Sequence, residues 1–176
     1  MTKHNRRAHL DDYQPTEDGS YTYTGLLWRW QEPHAREAFV REAWSLVAVA
    51  TACTIGAGFV PAPGVGNSFF VLVQYVISAG CLALTCACVW RITHEGMQLR
   101  NHVYASAVKG LPVRAYVGAG AACLSAAGEV FCALAGGGGV EAPLLGVIFA
   151  LCELGVAVCL MLLARRTRAL AFELVG

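Results

Sequence analysis

The sequence predicts an all-α fold, an integral membrane four-helix bundle with two outward-facing hairpin loops. Its 176 residues are 56% hydrophobic and only 14% charged, whereas soluble domains contain about 25% charged residues. Residues 43–90 contain no Asp, Glu, Lys, Arg or His, and a run of this length and apolarity is typical of membrane-spanning segments. The lipid bilayer is therefore the first partner that we expect.

Glycine and proline divide the apolar sequence into four spans. The predicted spans are residues 43–60, 67–90, 113–135 and 142–164. Residues 61–66, rich in Pro and Gly, separate the first pair, and the four glycines 136–139 separate the second. At 1.5 Å per residue the spans reach about 27 to 36 Å, which matches a hydrocarbon core of roughly 30 Å. Pro33 suits the first turn of a helix, so we expect the first span to begin there as a longer helix.

The positions of the basic residues predict the orientation. All 13 Lys and Arg residues lie in the N-terminal tail (residues 1–42), around the central loop (residues 91–114) or in the C-terminal tail (residues 165–176). Both hairpin loops lack them. Because Lys and Arg resist translocation, we expect a multi-pass protein of the plasma membrane with both termini in the cytoplasm.

Small and polar residues recur at helical spacing within each span. These stripes are Val47, Thr51, Thr54 and Gly58; Asn67, Gln74, Ser78, Cys81, Thr85 and Cys88; Gly118, Ala122, Ser125, Glu129 and Cys132; and Gly146, Ala150, Glu153 and Ala157. Small residues allow helices to approach closely in lipid. We therefore expect the stripes to face inward and the large apolar residues to face the acyl chains.

Two acidic residues, Glu129 and Glu153, lie within the spans, although an acid at the centre of a membrane helix costs about 2.5–3.5 kcal/mol. The spans contain no basic residue that could pair with them. One interpretation is structural: each is a neutral acid that hydrogen-bonds to Gln74, Thr54, Ser78 or Ser125. The other is functional: with Gln74 and Thr54 they handle protons or cations, since intramembrane acids are candidate functional residues.

Several classes of function are disfavoured by the residues that the spans lack. All eight cysteines lie within spans without a Cys-x-x-Cys pair, and no span contains a histidine, which argues against thiol oxidoreductases, bis-histidine haem proteins, zinc proteases and Ser/His hydrolases. His94 and His102 of the central loop have no accompanying cluster with ligand spacing. A formal net charge of +1 disfavours nucleic-acid binding. We expect no enzymatic activity, no cofactor, no metal and no nucleic-acid partner.

Two segments outside the spans are candidate interfaces. The first, residues 21–30, is rich in aromatic residues and includes Trp28 and Trp30, so we expect it to lie against the headgroup layer or the cytoplasmic end of the bundle. The second is a short amphipathic helix predicted over residues 97–109, with Arg100 and Lys109 toward anionic headgroups. Docking of a protein partner is the alternative for both segments.

The first functional hypothesis is a non-enzymatic membrane protein that acts through protein contacts, as an accessory, regulatory or self-associating subunit. Its partner would be another membrane protein or a second copy. The alternative is a small proton- or cation-coupled transporter or channel component that uses Glu129 and Glu153. A 72-residue offset aligns Ala43 with Ala115 and Gly56 with Gly128, which suggests two parallel hairpin repeats, an arrangement found in some transporters.

Overall fold

The computed structural model describes residues 13–15, 21–23, 25–135 and 141–175, and these are mostly helical. The glycine loop 136–139 and most of the first twenty residues lie outside these ranges. The helices are α1 (Pro33–Phe59), α2 (Pro63–Asn67), α3 (Phe69–His94), α4 (Asn101–Val103), α5 (Leu111–Ala135) and α6 (Glu141–Arg168), with a π-helical turn at Tyr104–Val108. The short strands are β1 (Tyr13–Pro15), β2 (Tyr21–Tyr23), β3 (Leu27–Trp30), β4 (Gln98–Arg100) and β5 (Phe172–Val175).

Four helices of the described chain, α1, α3, α5 and α6, are long and apolar enough to span a membrane. We call the end of the bundle where α2 lies the loop end. At the loop end, the limit of each long helix lies within two residues of the limit of its predicted span. At the opposite end, the sheet end, the helices extend two to ten residues beyond the predicted spans. As predicted, α1 begins at Pro33, and it ends at Phe59, shortly before Pro61. After α3, Gly96 has a φ of +79°, a conformation that ends a helix at little cost for glycine.

The four long helices pack as a bundle in which α6 lies along both α1 and α5, and α5 also lies along α3. By contrast, α1 and α3 touch only lightly. Gly118 of α5 allows a close approach of three helices, because a Cβ there would lie 2.7 Å from Cβ of Cys81 and 3.0 Å from Cδ1 of Leu160. A single missing side chain thus allows α5 to approach α3 and α6 together.

The predicted inward stripes are confirmed over most of their length in three of the four long helices, but the prediction is wrong for Asn67, which is exposed at the end of α2. The buried members are Ser78, Thr85 and Cys88 of α3; Gly118, Ala122, Ser125 and Glu129 of α5; and Gly146, Ala150, Glu153 and Ala157 of α6. The prediction is wrong for α1, where Thr51 and Gly58 are exposed. Its buried face is instead Phe39, Ala43, Val47, Ala50 and Ala57. Small residues occur on more than one side of α1, so their spacing did not distinguish the packed face.

A three-stranded antiparallel sheet at the sheet end is the feature that the all-α prediction missed. Its order is β4-β3-β5, with Trp28 paired to Leu99 on one side and to Leu174 on the other. The predicted helix over residues 97–109 is also wrong in its first part, because Gln98–Arg100 forms β4. A separate antiparallel pair joins β1 and β2. The sheet brings together segments that lie about 70 and 145 residues from one another along the chain.

The sheet alternates between an apolar face and a charged face, as the period of two in a strand requires. Trp30 and Leu99 are buried against the bundle. The Trp30 ring centroid lies 5.8 Å from that of Phe39 in α1 and 4.7 Å from that of Phe172 in β5. On the opposite face, Arg29 of β3 and Glu173 of β5 are cross-strand partners. The sheet therefore covers the sheet end of the bundle and turns its charged side outward.

Candidate functional site

Glu129, the first of the two acids predicted within the spans, is fully buried near the loop end. Its carboxyl oxygens accept hydrogen bonds from the backbone N–H groups of Gly64 (2.9 Å) and Val65 (3.0 Å). These are the second and third residues of α2, whose first-turn amides have no acceptor within the helix. Glu129 therefore caps α2 from a different helix. Its observed partners are backbone amides rather than the predicted Gln74, Thr54, Ser78 or Ser125.

Glu153 of α6 is also fully buried, but its environment differs. Among the described residues, neither carboxyl oxygen of Glu153 has a hydrogen-bond partner. The Ser78 hydroxyl lies beside this carboxyl without hydrogen-bonding geometry, and the Thr85 hydroxyl is likewise buried without a partner in the described chain. A buried polar group without a partner is costly. No contact among the described residues thus offsets the cost of burying the Glu153 carboxyl, whereas the other buried polar residue of α6, Thr167, donates a hydrogen bond to the Leu163 carbonyl.

The two acids among the predicted ion-handling residues lie at different levels of the bundle. A Cβ on Gly146 would lie 3.6 Å from Oε1 of Glu129, and Glu153 follows Gly146 by two helical turns, or roughly 10 Å. The Thr54 hydroxyl donates to the Ala50 carbonyl of its own helix, and the Thr54 carbonyl accepts from the Tyr75 hydroxyl. Gln74 is half-buried on α3.

The four predicted interface residues do come together, at the sheet end. Trp28 stacks on Tyr104 with ring centroids 4.1 Å apart, and its Nε1 donates to Oδ1 of Asn101. The ammonium of Lys109 lies 5.3 Å from the centroid of the same Tyr104 ring. Arg100 forms an ion pair with Glu95.

The fourth interface residue, Trp30, is only 2% exposed. This burial agrees with the expectation that residues 21–30 lie against the end of the bundle. It also leaves the Trp30 ring without a surface for an outside partner.

Two arginines that the sequence analysis did not single out hold the sheet end together. Arg36 of α1 donates to the Thr93 carbonyl at the end of α3. Arg114 of α5 donates through Nη1 to the Ser106 carbonyl (2.9 Å) and to Sγ of Cys88 (2.7 Å). Both contacts join residues of different segments, so no local pattern in the sequence predicts them.

An open cavity of about 500 Å³ lies next to these contacts, between the end of α3 and the segment that follows it. Its lining residues are Trp90, Arg91, His94, Glu95, His102, Val103 and Ser106. Within the described ranges, no group of three or more His, Cys, Asp and Glu residues is placed to hold a metal ion. The polar side chains of the lining are one arginine, two imidazoles, one hydroxyl and the Glu95 carboxylate, and all but the carboxylate can donate hydrogen bonds to anions.

No protein-family model, curated protein or solved structure matches this chain. The class to which it belongs is therefore defined by its own geometry. It is a mostly helical protein with four helices long and apolar enough to cross a membrane, covered at one end by a small antiparallel sheet.

Proposed function

We propose that this chain is a non-enzymatic, multi-pass protein of the plasma membrane that acts through protein contacts, as an accessory, regulatory or self-associating subunit. Its four long apolar helices support the membrane location. The confinement of every Lys and Arg to the tails and the central loop supports a cytoplasmic sheet end with both termini inside. Under this proposal the sheet covers the cytoplasmic side of the bundle.

The observation that carries the proposal is the exposed face of α3. Gly80, Ala83 and Ala87 are exposed and follow one another at helical spacing, and a Cβ on Gly80 would meet nothing within 4 Å. The exposed residues of α6 between Leu144 and Leu162 are all large and apolar, whereas α3 presents this small stripe beside larger residues such as Val76 and Leu84. Small residues permit close helix contact in lipid, so the α3 face is suited to another transmembrane helix, and the exposed Gly120, Cys123 and Ala127 of α5 are the competing face.

A second copy of this chain is the occupant that we propose for this face. All copies inserted in the same orientation can be related by a two-fold axis along the membrane normal, and such an axis places one surface against itself. The α3 stripe then packs against the same stripe of the other copy. No second type of subunit is needed to complete the contact.

Replacing Gly80 with Ile is expected to reduce capture of a second copy at least about tenfold, because a branched side chain separates two helix backbones that meet at a glycine. Two differently tagged copies are co-expressed and captured through one tag in mild detergent. Gly120→Ile is the matched control, since Gly120 is exposed on α5 and a Cβ there also meets nothing within 4 Å. Capture of a different membrane protein that depends on Gly80 would assign an accessory role. Equal capture by wild type and both variants would contradict the α3 contact.

The proposed hairpin repeat is supported by one part of the packing. In such a repeat, a pseudo-two-fold axis places α1 on α5 and α3 on α6. The contact between α1 and α6 then corresponds to the contact between α5 and α3, and both contacts are extensive. The remaining pair differs, because α5 and α6 pack tightly whereas α1 and α3 do not. In this proposal the lightly packed side is where the two halves have diverged.

Proton or cation handling is the second candidate function, and the unpartnered carboxyl of Glu153 favours it. Purified protein in liposomes would then conduct protons or cations, and Glu153→Gln would abolish that flux because the amide does not titrate. Glu37→Gln, at an exposed position near the start of α1, is the control and should leave the flux unchanged. Flux no greater than in protein-free liposomes would remove this candidate.

A further inference from the structure

The open cavity at the sheet end has the size of a ligand site. Its volume of about 500 Å³ lies within the roughly 300–1,000 Å³ of small-molecule pockets. One wall is the last turn of α3, with Arg91 and His94, and the other is formed by His102 and Ser106. Val103, which is buried, and the Trp90 ring supply the apolar part of the lining.

The side chains of this cavity favour an anion. Arg91 brings a permanent positive charge with several N–H donors, and such a group matches phosphate oxygens well. Glu95, the acidic residue of the lining, lies with its Oε2 3.7 Å from Nε of Arg100. That ion pair offsets the negative charge of Glu95. The remaining polar groups of the lining can donate hydrogen bonds to an anion.

The backbone around the cavity is held in place by contacts from other elements. Ser106 lies in the π-helical turn, and its carbonyl accepts a hydrogen bond from Arg114 of α5. The Trp90 ring packs edge-on against Trp44 of α1, with centroids 6.2 Å apart. π-Helical turns occur frequently at functional sites. Both walls of the cavity are therefore positioned by the fold before any ligand binds.

An apolar path leads away from the cavity along α3. Leu84 precedes Arg91 by seven residues, and Ile77 precedes Leu84 by seven, so the three share one side of the helix. Leu84 is 55% exposed and Ile77 is 40% exposed. A ligand with a phosphate at Arg91 and an acyl chain beside Leu84 and Ile77 would match this surface.

We infer that the cavity between the end of α3 and the π-helical turn binds a phosphate group, carried by the headgroup of an anionic phospholipid or present as free phosphate. The lipid source rests on the proposed membrane location. The apolar path along α3 favours that source. Arg91 is the principal binding residue, and His94 and Ser106 contribute further donors.

The test uses the purified full chain in detergent and native mass spectrometry. Phosphatidylglycerol should remain bound, whereas diacylglycerol with the same acyl chains and no phosphate should not. Arg91→Gln should reduce phosphatidylglycerol binding by about tenfold or more, since it removes a charged donor. Arg165→Gln is the matched control, because Arg165 is exposed at the sheet end of α6 outside the cavity lining. Arg165→Gln should change phosphatidylglycerol binding by less than about twofold, because an exposed charge outside the cavity contributes little to binding.

Separate arms identify the source of the phosphate. Binding of inorganic phosphate that depends on Arg91, without retention of phosphatidylglycerol, would assign the site to free phosphate. If Arg91→Gln loses its helical circular dichroism and so does not fold, Ser106→Ala is the second variant. Ser106→Ala should also lower phosphatidylglycerol binding. Equal effects of Arg91→Gln and Arg165→Gln, or no binding of either probe, would overturn the inference. Capture of a second copy is a separate measurement, so this site and the α3 contact can fail independently.

Discussion

Replacing Glu129 with Leu is expected to lower the free energy of unfolding by about 2–6 kcal/mol, because two amide donors then lose their acceptor at roughly 1–3 kcal/mol each. The donors are the N–H groups of Gly64 and Val65 in the first turn of α2. The Gly64 amide has no access to replacement water, since Gly64 is buried. Unfolding of the purified protein by added sodium dodecyl sulfate, followed by circular dichroism, measures the change.

Two further variants separate the role of the Glu129 carboxyl as an acceptor from the general effect of removing a buried acid. Glu129→Gln keeps one acceptor oxygen and should lose about half as much stability as Glu129→Leu, by the same cost per donor. Glu153→Gln should cost less than about 1 kcal/mol, because the Glu153 carboxyl accepts no hydrogen bond in the described chain. Equal stability of Glu129→Leu and Glu153→Gln would show that Glu129 does not hold α2 in place.

Replacing Trp30 with Ala is expected to cost about 3–5 kcal/mol, the range observed when a large aromatic side chain is removed from a core. Trp30 is 2% exposed and packs between Phe39 of α1 and Phe172 of β5. Its loss should detach the sheet from the bundle before the long helices separate. Hydrogen exchange of the Trp28, Leu99 and Glu173 amides, which lie in hydrogen-bonded pairs of the sheet, should therefore accelerate more than exchange within α5.

The matched control for Trp30 is Leu174→Ala. Leu174 lies on the same sheet in β5 but is 53% exposed, so its truncation should cost less than about 1 kcal/mol. If Trp30→Ala left exchange in the sheet unchanged, the sheet would not depend on this ring for its attachment. The experiment therefore tests whether the sheet end is one folded unit with the helices.

The long helices and three of their packed faces could be predicted from the sequence because both are local properties. A run of about twenty apolar residues bounded by proline or glycine predicts a helix without knowledge of any contact. The inward position of Ser78 or Ser125 follows from helical spacing alone. The same reasoning failed for α1, where Thr51 is exposed, because small residues occur on more than one of its faces.

By itself, then, the sequence determined the four apolar helices, their limits at the loop end and the presence of two acids within them. The tertiary structure alone decided what those acids contact, since Gly64 and Glu129 lie 65 residues apart along the chain. It also decided that β3, β4 and β5 form a sheet over one end of the bundle. Strands of three or four residues have too few positions for a recognisable period, and pairing across such separations depends on where the helices bring the chain.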